Sequence, residues 1–263
     1  MFLEELFSRG LAEMKLRYLT YHQTADAPVV SDVHVIPQPQ FEMQIDWLCN
    51  CGIPVLDAHA LAKQEFGQPY VVGLTFDDGC ESDLLNARYL KSRGLNGIFF
   101  VSTARIDMPG YLARAQILEM RDMGMLIGSH SHEHRALNLM PLDEARKQMA
   151  LSKQILEELL GQTVDHIAFP GGGHNGDVVM GAHEVGFRYV FTTIWGANHI
   201  KGTTSAVLYR DTVVRGMSLE RFKDIVLGRN ELMRRSKYWC KQAAHGLLPR
   251  AAYSALRRRF IDG

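Results

Sequence analysis

The chain has 263 residues, 46% hydrophobic and 22% charged, which suits a globular core of ordinary size and excludes a disordered chain. Lysine plus arginine and aspartate plus glutamate stand at 29 each, so no global field draws nucleic acid, and none is expected as a partner. No apolar run approaches the roughly 18 residues of a membrane span.

Phe2, Leu3, Leu6, Phe7, Leu11 and Met14 recur at helical spacing and predict a short amphipathic helix. Glu4 and Glu5 interrupt the apolar stretch that a signal peptide needs, so the expected location is the cytoplasm. Leu16–His22 reads as a strand. Ala25–Gln40, with Pro28, Pro37 and Pro39, reads as a long loop. Phe41, Ile45 and Leu48 stripe a helix ending near Gly52. Cys49, Cys51, Cys80 and Cys240 form no CxxC pair and read as reduced thiols.

Strands and helices then alternate. Strands are predicted at Tyr70–Phe76, Gly97–Ser102, Met125–Gly128, His166–Phe169 and Tyr189–Thr193, and helices over Ser82–Arg93, 112–123, Leu142–Leu160 and about 177–186. Gly161 suits a left-handed helix end. The order implies one α/β domain: a parallel sheet with helices outside, closed as a barrel or open and doubly wound. We place its boundary near 228, with 229–263 as a basic helical extension. Between Arg234 and Arg259 lie eight basic residues and no acidic one, interspersed with Trp239, Leu247, Leu248, Tyr253 and Leu256. Such a segment is either a solvated helix face or a surface for an anionic membrane or a phosphate-rich partner.

Three clusters follow predicted strands, and in a parallel fold the C-terminal strand ends converge on one rim. In Thr75-Phe-Asp-Asp-Gly79, one carboxylate is able to bind a metal while its neighbour addresses a water, since successive side chains diverge. In Gly128-Ser-His-Ser-His-Glu-His134, His130 and His134 are four apart, a spacing that puts two imidazoles on one face of a helical turn. His132 falls on the other side. Two imidazoles and one carboxylate leave positions open, as in a catalytic site; zinc suits the ligand types, with cobalt, nickel or iron as alternatives. Ala168-Phe-Pro-Gly-Gly-Gly-His-Asn175 offers either a flexible turn or backbone N–H groups for an oxyanion.

TFDDG, then HxxxH, then a strand with a Pro-Gly turn, in this order, resembles the polysaccharide deacetylases (NodB-homology domain, carbohydrate esterase family four) from about Tyr18 to Arg210. Phe191–Asn198 followed by Leu208-Tyr-Arg210 is similar to the subgroup that accompanies exopolysaccharide and lipid-linked sugar synthesis. The resemblance implies an irregular (β/α) barrel of about seven strands and removal of an N-acetyl group from an amino sugar in a glycan or lipid-linked precursor. It implies Asp77 as general base, Asp78, His130 and His134 as metal ligands, and an oxyanion site near Pro170, Gly171 and Gly172. Two departures stand out. The third motif reads Ile-Ala-Phe-Pro where many relatives have an arginine that orients the base, which leaves Arg210 as the candidate. The late Leu-x-x-His is Leu208-Tyr-Arg-Asp211, which leaves His22, His174 or His199 to supply the acid, His174 first. Trp195 and Tyr21 are candidate sugar platforms and His22 a substrate contact. The alternatives are a deacylase of another amide or ester and an inactive glycan-binding protein.

Overall fold

The computed structural model describes residues 14–27, 32–60, 70–200, 206–236, 238 and 240. The expected N-terminal helix and the tail beyond Cys240 lie outside the described residues. In chain order the elements are β1 (Met14–Tyr21), β2 (Thr24–Ala25), β3 (Ile36–Pro37), α1 (Gln38–Asn50), β4 (Tyr70–Phe76), α2 (Ser82–Ser92) and β5 (Ile98–Val101). Then come α3 (Arg114–Asp122), β6 (Leu126–Ser129), α4 (Leu142–Leu160), β7 (His166–Ala168), α5 (Gly176–Val185) and β8 (Tyr189–Phe191). The last are β9 (Asn198–Ile200), β10 (Ala206–Leu208), β11 (Arg210–Thr212) and α6 (Leu219–Val226).

The main sheet runs β10-β8-β7-β6-β5-β4-β1-β11, parallel throughout, with β9 added antiparallel to the start of β1. Its two edges belong to one stretch of chain. Residues 206–208 pair with β8, and after the single residue Tyr209 the chain pairs with β1. This nearly closes the sheet into a barrel, and counting 206–212 as one strand gives the expected seven.

Residues alternate between two cores, as strands covered on both faces require. Leu16, Tyr18, Val71, Ile98, Phe100 and Phe191 fill the barrel, while Leu19, Tyr21, Val72, Leu74, Phe76 and Phe99 pack under the helices. Gly73 is needed on β4 because a Cβ there would sit 2.1 Å from the Tyr18 ring. Helix α4 buries Ala145, Met149, Ser152, Leu156 and Leu160, a 3–4 stripe, and stops at Gly161 with φ 65°. Full burial of each large apolar side chain contributes about 1.5–3 kcal/mol. Helix α1 begins inside the stretch expected to be loop, because Pro39 sits in its first turn, where a missing N–H costs no hydrogen bond.

Candidate metal and catalytic site

The site forms where β4, β6 and β7 end, with Arg210 reaching it from the start of β11. The Asp77 N–H donates to the Tyr21 carbonyl at 3.0 Å, so the chain leaves β4 tied to β1. Asp78 (φ 83°) and Gly79 (φ 74°) are then both left-handed, a turn that sends the two carboxylates apart. Asp77 points into the barrel and is almost wholly buried. Both of its oxygens meet Arg210, with Nη1 to Oδ1 at 2.6 Å and Nη2 to Oδ2 at 2.8 Å. Arg210 is itself 0% exposed, and its Nε donates to the Thr192 carbonyl at 3.0 Å and its Nη1 to Thr75 Oγ1 at 3.2 Å. The rings of Phe100 and Phe191 lie 5.4 and 5.8 Å from the guanidinium. Burial opposes ionisation of Asp77, but Arg210 and His130 outweigh it and hold the carboxyl below its usual range. Sequence reasoning missed Thr75 and Thr192, which hold the arginine through a hydroxyl and a carbonyl at strand ends.

The histidine segment is not the helical turn its spacing suggested. Residues 130–134 are irregular, with Ser131 at φ 63° and His134 at φ 58°. Backbone clamps make the shape. The His130, Ser131 and His132 carbonyls accept from Ser102 Oγ (3.3 Å), Thr103 N (3.2 Å) and Ala104 N (3.0 Å), and the Ser131 N–H donates to Ser129 Oγ (3.1 Å). His132 turns away, with Nδ1 2.8 Å from Thr103 Oγ1. The spacing of four is therefore real, but left-handed residues and main-chain hydrogen bonds achieve it.

His134 Nε2 lies 2.7 Å and His130 Nε2 3.4 Å from Asp78 Oδ1. One ligand atom from each of Asp78, His130 and His134 lies within 4.8 Å of the others, the one such cluster found among the described residues. His130 Nδ1 is 2.8 Å from the Ala168 carbonyl, an acceptor only, so it carries the hydrogen and leaves the Nε2 lone pair facing Asp78. Burial opposes a charge on His130, yet Asp77 and Asp78 raise its pKa. Two imidazole nitrogens converging on a buried carboxylate oxygen fit a divalent cation, and the borderline donor set suits zinc.

In the third cluster, Pro170 and Gly172 are buried and Gly171 is exposed, both glycines being left-handed (φ 65° and 69°). The Gly172 N–H is taken by the Phe169 carbonyl at 2.8 Å. A Cβ on Gly172 would fall 1.9 Å from Thr193 Oγ1, so the loop packs too closely for any side chain. His174 Nδ1 is 2.9 Å from the Gly172 carbonyl, and the Asn175 side chain caps α5 through Val178 N at 2.9 Å.

The other expected residues divide. His22 adjoins the site: burial lowers its pKa to about 4 against the pull of Asp77 and Asp78, and its ring lies 4.6 Å from His34. His199 does not adjoin it, because it pairs with Lys15 at the start of β1, six residues from the rim, about 20 Å of strand. Tyr21 is no sugar platform: it is 0% exposed, stacked on Phe76 and bonded to Gln44. The ring contact of Trp195 is with Tyr238, at 5.6 Å, not with the ligand cluster. Asp83, overlooked in the sequence, is 0% exposed, and burial together with Asp78 and Asp77 pushes its carboxyl well above the usual range.

Residues 65–190 match the polysaccharide deacetylase family. YxkH of Bacillus subtilis, which bears a polysaccharide deacetylase name, is 27% identical over 209 residues, 78% of this chain and 73% of YxkH. Among solved structures, the Streptococcus pyogenes deacetylase PplD, in complex with acetate, superposes with TM-score 0.72 at 23% identity, over 82% of this chain and 99% of PplD. IcaB from Ammonifex degensii gives 0.71 at 23%, over 81% and 97%. Both likenesses concern the fold.

Proposed function

We propose that this chain, whose residues 65–190 match the polysaccharide deacetylase family, is a metal-dependent hydrolase removing N-acetyl groups from amino sugars in a glycan or lipid-linked precursor. The observation that carries this reading is the joint presence of a three-ligand cluster and, on the adjacent residue, a carboxylate held ionised by a buried arginine. A binding module needs a base beside its metal for nothing.

Asp78, His130 and His134 would hold the ion. When bound, such an ion supplies Lewis acidity to a carbonyl and lowers the pKa of water. Asp77 accepts the proton of the attacking water on a lone pair left free by Arg210. Arg210 fixes both oxygens in one plane, so the base cannot rotate away from its proton. The Gly171 N–H, on the exposed side of its turn, is the candidate donor to the developing oxyanion. The leaving amine needs a proton. His174, tethered to its own loop, is the candidate, while His22, kept neutral by burial that lowers its pKa to about 4, is left as a substrate contact. PplD is a deacetylase solved with acetate, the product this reading expects.

Peripheral attachment to an anionic inner-membrane face fits the basic tail. Leu232 and Met233 stand 86% and 51% exposed beside Arg229 and Arg235. Replacing both by aspartate should abolish sedimentation with phosphatidylglycerol vesicles; unchanged sedimentation contradicts the attachment. The catalytic reading is tested by acetate release from N-acetylated glucosamine oligomers after chelation and again after zinc, cobalt or nickel is restored. Release that returns with metal supports it. Zinc bound without acetate release, alongside turnover of formamides or small esters, moves the substrate class.

A further inference from the structure

β11 carries two ionic residues in succession, and alternation sends them to opposite faces of the sheet. Arg210 goes inward to Asp77. Asp211, almost wholly buried, goes outward, where Arg17 of β1 meets its Oδ2 and Arg234 meets its Oδ1. Arg234 belongs to a helical stretch, residues 231–236, that follows α6. The same stretch is fastened by Glu231, which pairs with Arg17 at 2.9 Å and Lys15 at 3.2 Å and accepts the Ala197 N–H at 3.1 Å.

The strand so gripped has a short ladder; at its start the Arg210 N–H donates to the Ile194 carbonyl at 2.9 Å, and the Asn198 side chain meets the Tyr209 N–H and carbonyl at 2.7 and 2.9 Å. Three residue pairs join β11 to β1, Tyr18 opposite Arg210 through Thr20 opposite Thr212, and among the described residues no strand pairs with its other side. Its neighbour in sequence, β10, pairs with β8 over a further three. A strand held so briefly is positioned by its side chains as much as by its ladder. The outward carboxylate is the point at which two arginines hold it, one from the barrel and one from the C-terminal segment.

We propose that Arg234 is a positioning residue for the catalytic base: by clamping Asp211 it sets the height of β11, and through the next residue it seats Arg210 on both oxygens of Asp77. The segment after α6 is then part of the active-site frame and not an appendage. This inference rests on the deacetylase reading for its kinetic readout but not for its spectroscopic one. Bidentate geometry is demanding, and a displacement of about 1 Å in a group near the chemistry costs up to about 100-fold in rate.

The test uses the full chain in three forms: wild type, Arg234→Met and Arg234→Lys, each also in an Arg210→Lys background. Hydrogen exchange of the Arg210 Nε–H is read by NMR with ¹⁵N-arginine, the signal being assigned by its loss in Arg210→Lys. We expect the Arg234→Met variant to bind zinc as wild type does, with KM unchanged, kcat down about tenfold and the Arg210 Nε–H exchanging faster. Arg234→Lys should recover most of both, and in the Arg210→Lys background Arg234→Met should cost no further kcat. If Arg234→Met only lowers the melting temperature, leaving Arg210 exchange and kcat as in wild type, Arg234 merely supports the fold and the inference is overturned. Full additivity with Arg210→Lys overturns it equally. A wild type that releases no acetate contradicts the deacetylase reading, while Arg210 exchange still decides the positioning role.

Discussion

The two buried arginine–carboxylate groups on either side of β11 are built from the same residue types and have different structures. Inside the barrel, one arginine meets one carboxylate with two parallel hydrogen bonds, and its remaining donors reach Thr192 and Thr75. Outside, two arginines share Asp211, and Arg17 Nε and Arg234 Nη1 are buried without a hydrogen-bond partner among the described residues. The inner pair fixes the orientation of a single reactive group, and every donor atom there has a task. The outer cluster joins three parts of the chain, β1, β11 and the stretch after α6, and holds them without satisfying every donor. A buried ion pair is weak evidence for stability by itself; its hydrogen-bond satisfaction indicates which use it serves.

Substitutions on the two faces of β11 should have different effects. The largest effect is expected at the ligands that sit above the inner pair: His134→Ala should lose bound zinc, read by elemental analysis, and acetate release should fall to background. Next, Arg210→Lys offers one nitrogen where two oxygens need a fork, so kcat should fall about 100-fold with zinc content kept. Asp211→Asn should do the reverse, lowering unfolding free energy in urea by about 3 kcal/mol with a smaller effect on kcat. If Arg210→Lys and Asp211→Asn give the same ratio of stability loss to kcat loss, the two faces are not functionally distinct.

The smallest effect concerns pH. Asp83 has a folded pKa above its ordinary value, so its contribution to stability is fully present below the unfolded value of about 3.9 and is lost as pH rises through the folded one. Asp83→Asn removes that loss. In metal-free protein its melting temperature should exceed that of wild type at pH 7.5 by an amount worth on the order of 1 kcal/mol, and the advantage should shrink toward pH 4. Asp77 has the opposite sign. Its carboxyl is held below the usual range, so its stabilisation is present at neutral pH and lost only as pH falls beneath that range. An advantage of Asp83→Asn that is constant with pH contradicts the buried-acid description.

The regular elements were legible because both faces of the strands are buried. YVVGLTF and IFFV read as apolar runs, and α4 declared itself by its stripe and by Gly161. The closing segment was not legible: β9, β10 and β11 are three residues each, and Arg-Asp-Thr carries no apolar pattern because its inner and outer residues are both ionic. Helix α6 was also missed, although Phe222, Ile225 and Val226 face the core and Ser218 caps it through Arg221 N. At the site, residue types located the cluster, since Asp78, His130 and His134 do converge. Its backbone shape was hidden, because the positive φ values at Asp78, Ser131 and His134 are imposed by tertiary hydrogen bonds rather than by glycine. The partner of Asp77 lies 133 residues away, where local pattern says nothing, and Arg210 came forward only because the third motif lacks the arginine that the family resemblance implies.

The most direct test of the account is zinc content and acetate release measured together for wild type and Asp77→Asn on N-acetylated glucosamine oligomers. A base beside a separate ligand set predicts that Asp77→Asn keeps its zinc and loses at least 100-fold in acetate release. Zinc lost together with activity would make Asp77 a ligand, and acetate release undiminished in Asp77→Asn would contradict its role as the base.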